Sequence, residues 1–220
     1  MSYGLTVYNQ SNNVIIDSDY RNMVLRQKNT LTFTPTQQSY GNVIVNVDRK
    51  SFSLSNAVNP IIFIKSSIGV GLTNITNSGS TYTWTISSNT AGSCTVYIFD
   101  LIQSPQTTYG MQVFDASGSV VFNSDNQYMK VIDIFNVPWS SSTWPSVSRS
   151  YSSGNYAVSI GCPRTIALIG GSLDTDSIIC NSTSVSLSFS VSDITNQVHG
   201  YGFLTGSTTL TGLTIDVTGY

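Results

Sequence analysis

The chain has 220 residues, of which 9% are charged, with 9 Lys+Arg against 11 Asp+Glu and a net charge of -2. All eleven acids are Asp, while Ser, Thr and Asn number 36, 25 and 18 and hydrophobic residues make up 40%. This argues against disorder, which needs low apolar content and high charge, against a helical bundle, which draws on Glu, Lys, Ala and Leu, and against a nucleic-acid binder, since a pI near 5.0 leaves no basic footprint.

In chain order, Gly4-Leu5-Thr6-Val7-Tyr8 reads as a strand, residues 9–13 as a turn and Val14-Ile15-Ile16 as the returning strand of a hairpin. Asn42 to Val47 follows as a strand, and Ile61-Ile62-Phe63-Ile64 as a continuously apolar one. Tyr82, Trp84 and Ile86 alternate with Thr81, Thr83 and Thr85, the pattern of a sheet with one buried face. Thr95 to Phe99 closes the first series. The second begins with another hairpin at 109–124. It continues through Tyr156–Ile160, Thr165–Ile169, the alternating Ser184–Val191, Tyr201–Leu204 and Leu213–Val217.

The two hairpins are repeats. Residues 3–23 and 109–129 align without a gap at an offset of 106, with 8 of 21 positions identical: Tyr3/Tyr109, Gly4/Gly110, Val7/Val113, Ser11/Ser117, Val14/Val120, Ser18/Ser124, Asp19/Asp125 and Met23/Met129. Gly118 stands where the first copy has Asn12, and both residue types tolerate a left-handed turn position. The expectation is an all-β protein of two tandem, internally repeated β-sandwich-like domains, 1–104 and 105–220, split near Gln103-Ser104-Pro105-Gln106. Residues 1–106 carry net +2 and residues 107–220 net -4.

Residues that carry chemistry are sparse. His199 is the sole histidine and lacks a Gly-x-Ser-x-Gly elbow, so no catalytic residue is assigned. The close pairs Asp17/Asp19 and Asp174/Asp176 lie in Ser/Thr-rich stretches and read as turn caps. No cofactor motif or metal spacing is found. Cys94, Cys162 and Cys180, odd in number, read as buried free thiols. The opening residues show no secretory pattern, and no apolar run reaches the roughly 18 residues of a membrane helix. Trp139 and Trp144, in a Ser/Pro loop running on to Tyr151, are the candidates for protein contact or glycan stacking.

The repeated hairpin, Tyr-Gly-hydrophobic-x-Val-aromatic followed by a polar turn and Val-hydrophobic-hydrophobic-Asp/Asn-Ser, at 3–18 and 109–124, resembles the start of small β-rich proteins of tailed bacteriophages and prophages. That resemblance covers under a fifth of the chain and brings no catalytic residue. It implies a non-enzymatic virion structural protein, tail- or fibre-associated, assembled in the host cytoplasm. The expected partners are other virion proteins and copies of itself, as a trimer or hexamer. A glycan-binding host-attachment module and a capsid decoration protein are the alternatives.

Overall fold

The computed structural model describes residues 5–8, 10, 12, 14–17, 21–40, 43–101, 109–138, 146–160, 165–167, 172–180, 184–194, 202–205 and 209–220. Every helix or strand among them is a strand, so the chain is all-β. In order they are β1 (Thr6–Tyr8), β2 (Val14–Asp17), β3 (Met23–Phe33), β4 (Thr36–Tyr40), β5 (Val43–Leu54), β6 (Ile61–Ser78), β7 (Thr81–Ser88), β8 (Gly92–Leu101) and β9 (Gln112–Phe114). There follow β10 (Val120–Asn123), β11 (Val131–Pro138), β12 (Val147–Ser150), β13 (Tyr156–Ile160), β14 (Thr165–Ala167), β15 (Ser172–Cys180), β16 (Ser184–Ile194), β17 (Gly202–Thr205) and β18 (Thr209–Asp216).

The sequence repeat folds into the same unit twice. Thr6, Val7 and Tyr8 oppose Asp17, Ile16 and Val14, and Gln112, Val113 and Phe114 oppose Asn123, Phe122 and Val120, which is the same register at the same offset. The turn residues Asn12 and Gly118 both have positive φ, 61° and 81°, where Asn and Gly cost least. The Gly…Ser pairing within the repeat has a steric cause. A Cβ on Gly110 would lie 2.3 Å from Ser124 Oγ, the atom that accepts the Met111 N–H at 3.0 Å. The two hairpins pack on each other through Ile16, Val113 and Val121, with Val7 and Phe122 at the margin.

The central sheet runs β3-β8-β6-β13-β18-β11, antiparallel throughout. Strands from both sides of residue 104 share it: Ile64 of β6 opposes Val158 of β13, and β6 also meets β15 at Ser66↔Cys180 and Val70↔Ile178. At 18 residues, β6 is the hinge of the architecture. Residues 61–66 pair with β8. Past Gly69-Val70-Gly71, residues 71–78 pair with β7, which in turn pairs with β5. A strand that changes sheets at a bend is how orthogonal sheets make corners.

Between these layers lies the main core. Ile62, Ile64, Val96 and Ile98 face Phe52, Trp84, Ile86 and Leu72. The alternation of β7 works as the sequence implies: Trp84 and Ile86 are buried, and Trp84 stacks on Phe52 at 5.6 Å. On the other side of that layer, Thr83 and Thr85 bond to Ser53 and Ser51 at 2.7 and 2.9 Å. A second core, Phe63, Tyr97, Phe99, Ala157 and Ile215, covers the opposite face of the central sheet. Cys94 and Cys180 are buried free thiols, as expected; Cys162 and the 103–106 linker lie outside the described residues.

One sequence reading needs correction, and one strand was not read from the sequence. Asp174 and Asp176 are not in a corner: they lie inside β15, opposite Ser192 and Phe189. Asp is depleted in strands, but ladder bonds engage only the backbone and admit it. Met23–Phe33 is an 11-residue strand that its polar centre, Arg26-Gln27-Lys28-Asn29, disguised.

Candidate assembly surface

β11 is an end strand. Among the described residues it pairs with β18 alone, so its outer edge offers unused N–H and C=O groups, the template that edge strands present to other chains. Its register places Val131 opposite Ile215 and Ile134 opposite Leu213, with a bulge between Val131 and Asp133. Residues directly opposed share a face, so Val131 and Ile134 belong to the face that carries the second core. That core does not extend to the edge. Ile134 is 66% exposed, and Val131 and Ile132 are exposed as well. Beside Ile134 lies an apolar groove of about 340 Å³ whose walls include Pro60, Ile61, Ile75 and Leu213. An exposed apolar strip next to such a groove marks an interaction surface.

The other face of β11 is fixed from within. Tyr151 donates its hydroxyl to Asp133 Oδ2 at 2.9 Å and lies 3.0 Å from Thr214 Oγ1. Arg149 Nε is 3.6 Å from the same Asp133 oxygen, and its guanidinium lies 5.4 Å from the Phe135 ring centre. Burial, with the Asp133 carboxylate adding to it, holds the Tyr151 hydroxyl above its ordinary pKa against a smaller pull from Thr214. The group therefore stays a neutral donor. Phe135 is seated over Gly212, where a Cβ would come within 2.1 Å of the ring. The outward side chains are thus presented by an ordered strand rather than a loose one.

Of the three sequence candidates, Trp139 and Trp144 lie outside the described residues. Tyr151 is described, and its partners are internal: it is half-buried, its ring 5.0 Å from that of Tyr156. Its role here is to position β11. The isoleucines of β11 escaped the sequence reading. Their signal was Val131-Ile132-Asp133-Ile134-Phe135, in which apolar residues fall on both faces although the strand is not central. His199 lies outside the described residues. Burial raises the Cys94 and Cys180 thiols to about 12, so they stay protonated and unreactive. Among the described residues, no three metal-ligating side chains converge. No protein-family model, curated protein or solved structure matches the chain.

Proposed function

We propose that this chain is a non-enzymatic structural protein of a tailed-bacteriophage particle, tail- or fibre-associated, that works by joining copies of itself edge to edge through β11. One observation carries the assembly reading: an end strand displays exposed Val131, Ile132 and Ile134 beside an apolar groove. On the other face of β11, Asp133 is paired with Arg149. A two-fold contact between antiparallel β11 strands brings apolar side chains together, which is the self-complementarity that an isologous interface requires. A surface built from Ser, Thr and Asn fits the same role, because burying unpaired charge in a contact is costly. The virion reading is supported by the resemblance of the hairpin at 3–18 and 109–124.

Light scattering on the purified protein tests the contact. The expected result is an oligomer that Ile134→Lys converts to monomer while leaving the circular dichroism unchanged. A wild-type monomer at all concentrations would overturn edge-to-edge assembly. Mass spectrometry of purified particles tests the virion reading separately, with stoichiometric recovery of the chain as the expected result.

A further inference from the structure

Where the end of the second hairpin repeat meets residues 218–220, a hollow of about 520 Å³ opens, a volume usual for small-molecule sites. Its walls include Asn22, Phe122, Asn126, Gln127, Tyr128 and Tyr220. These walls are fastened to one another. Gln127 Nε2 donates to the Gly219 oxygen at 3.2 Å, and the Tyr220 hydroxyl donates to the Tyr128 carbonyl. The N–H groups of Leu25, Met129 and Asp216 bond to the carbonyls of Gln127, Met23 and Lys130 at 2.8, 3.0 and 2.9 Å. A hollow framed by backbone bonds is set before a ligand arrives, which lowers the cost of binding.

The hairpin register does not require the residues found here. The repeat matches Phe122 with Ile16, Gln127 with Arg21 and Tyr128 with Asn22, and the first copy keeps the same register with Ile16 and Asn22 in place. The second copy thus carries two aromatic rings where the unit accepts other side chains. Those rings stack on each other, with centres 4.9 Å apart and planes 10° apart, and make one apolar wall. Asn22, which matches Tyr128 in the other copy, borders the same hollow, so the site draws on both copies.

The polar groups of the hollow are carboxamides, each able both to donate and to accept. Asn126 Nδ2 is buried without a hydrogen-bond partner, although buried polar groups are as a rule paired. Lys130 also borders the hollow, but it lies 5.2 Å from the Tyr220 ring centre and its charge acts on the Asp216 carboxylate. The chemistry therefore favours an uncharged ligand. We infer that this hollow is a binding site for a neutral saccharide ring. A pyranose has an apolar C–H face and a rim of hydroxyls. The face lies on the wall of Phe122 and Tyr128, and the hydroxyls pair with the carboxamides of Asn22 and Asn126. The unmet Asn126 donor finds its oxygen when the carboxamide turns into the hollow. The site goes beyond the assembly reading and holds whether or not β11 joins copies of the chain.

The test is a titration of ¹⁵N-labelled protein with methyl α-glucoside, methyl α-galactoside and N-acetylglucosamine in turn, with adenine as a neutral flat ring for comparison. Saturable shifts at millimolar sugar are expected at the amides of Asn22, Gln127, Tyr128 and Gly219. Tyr128→Asn, which installs the residue that the first copy carries at the matching position, should weaken binding by about tenfold, while Tyr128→Phe keeps the ring and most of the affinity. Asn22→Ala and Asn126→Ala, which leave the aromatic wall intact, should each weaken it by about fivefold and decide the matter if Tyr128→Asn fails to fold. Binding should be the same in Ile134→Lys, so that failure here and failure of the assembly contact are told apart. No saturable shift with any of the sugars, tighter binding of adenine, or undiminished binding in both asparagine variants would overturn the site.

Discussion

The central sheet has two end strands of opposite character. The exposed positions of β3 are Lys28, Thr30 and Thr32, and those of β11 include Val131, Ile132 and Ile134. Both leave one side without a strand ladder among the described residues. A lysine and hydroxyls on an edge deter pairing with other chains, whereas isoleucines invite it. One sheet thus has a protected margin and a sticky one. The side chains differ, and so does the backbone: the start of β3 exchanges bonds with Gln127 and Met129, whereas β11 carries a bulge.

The largest effect should come from the inner side of the protected margin. Asp100 on β8 is fully buried and accepts N–H groups of Val58, Asn59 and Leu101 at 2.8–2.9 Å, with Arg26 of β3 3.8 Å away. Asp100→Ala orphans these donors and should cost about 3–4 kcal/mol, read as a lower urea midpoint. It should also loosen the segment before Pro60, which borders the groove beside β11. If both margins depend on this carboxylate, the variant will lose assembly together with stability.

On the apolar margin, Gly212→Ala forces Phe135 off its seat. Overpacking of this kind should cost about 1–3 kcal/mol in urea unfolding. It should weaken self-association more than Ile134→Leu does, because it displaces the strand and not a single side chain.

Exchanging the character of the margins gives a sharper comparison. Thr30→Ile with Thr32→Ile makes β3 resemble β11 and should add concentration-dependent association detectable by light scattering, while folding stability changes by only about 0.5 kcal/mol. No added association would mean that the backbone shape of β11, with its bulge, matters more than its side chains.

The smallest expected effect is a pH dependence where β18 ends, beside the entry to β11. Burial raises the Asp216 pKa, but bonds from the Thr218 hydroxyl and N–H, with Lys130 nearby, outweigh it and leave the carboxyl below its usual 3.8. A carboxyl lowered on folding stabilises the native state fully above its unfolded pKa. That contribution is lost as pH falls through the folded value. Asp216→Asn should therefore lower Tm slightly at neutral pH and converge on wild type as the pH is lowered through the carboxyl's folded pKa.

How much was legible in sequence follows from how local each signal was. The hairpins were legible down to Asn12 and Gly118, because turn chemistry and alternation act within some ten residues. The buried face of β7 was legible for the same reason. β3 was not, because its polar centre suits an end strand, and nothing local says which strand lies at an end. The split near residue 104 followed the repeat, whereas the central sheet draws strands from both sides of it. The isoleucines of β11 went unnoticed beside the tryptophans at 139 and 144, since exposure depends on what packs above a residue.

By itself the sequence determined that this protein is built of strands, where a hairpin recurs, and that its surface is hydroxyl-rich and nearly uncharged. Composition, period and turn residues set those properties, and all act over short spans of chain. Tertiary structure alone decided that β6 joins the two halves and that β3 and β11 become opposite margins. Those outcomes depend on pairing between residues far apart in the chain, where register and burial, rather than any local preference, choose the neighbours.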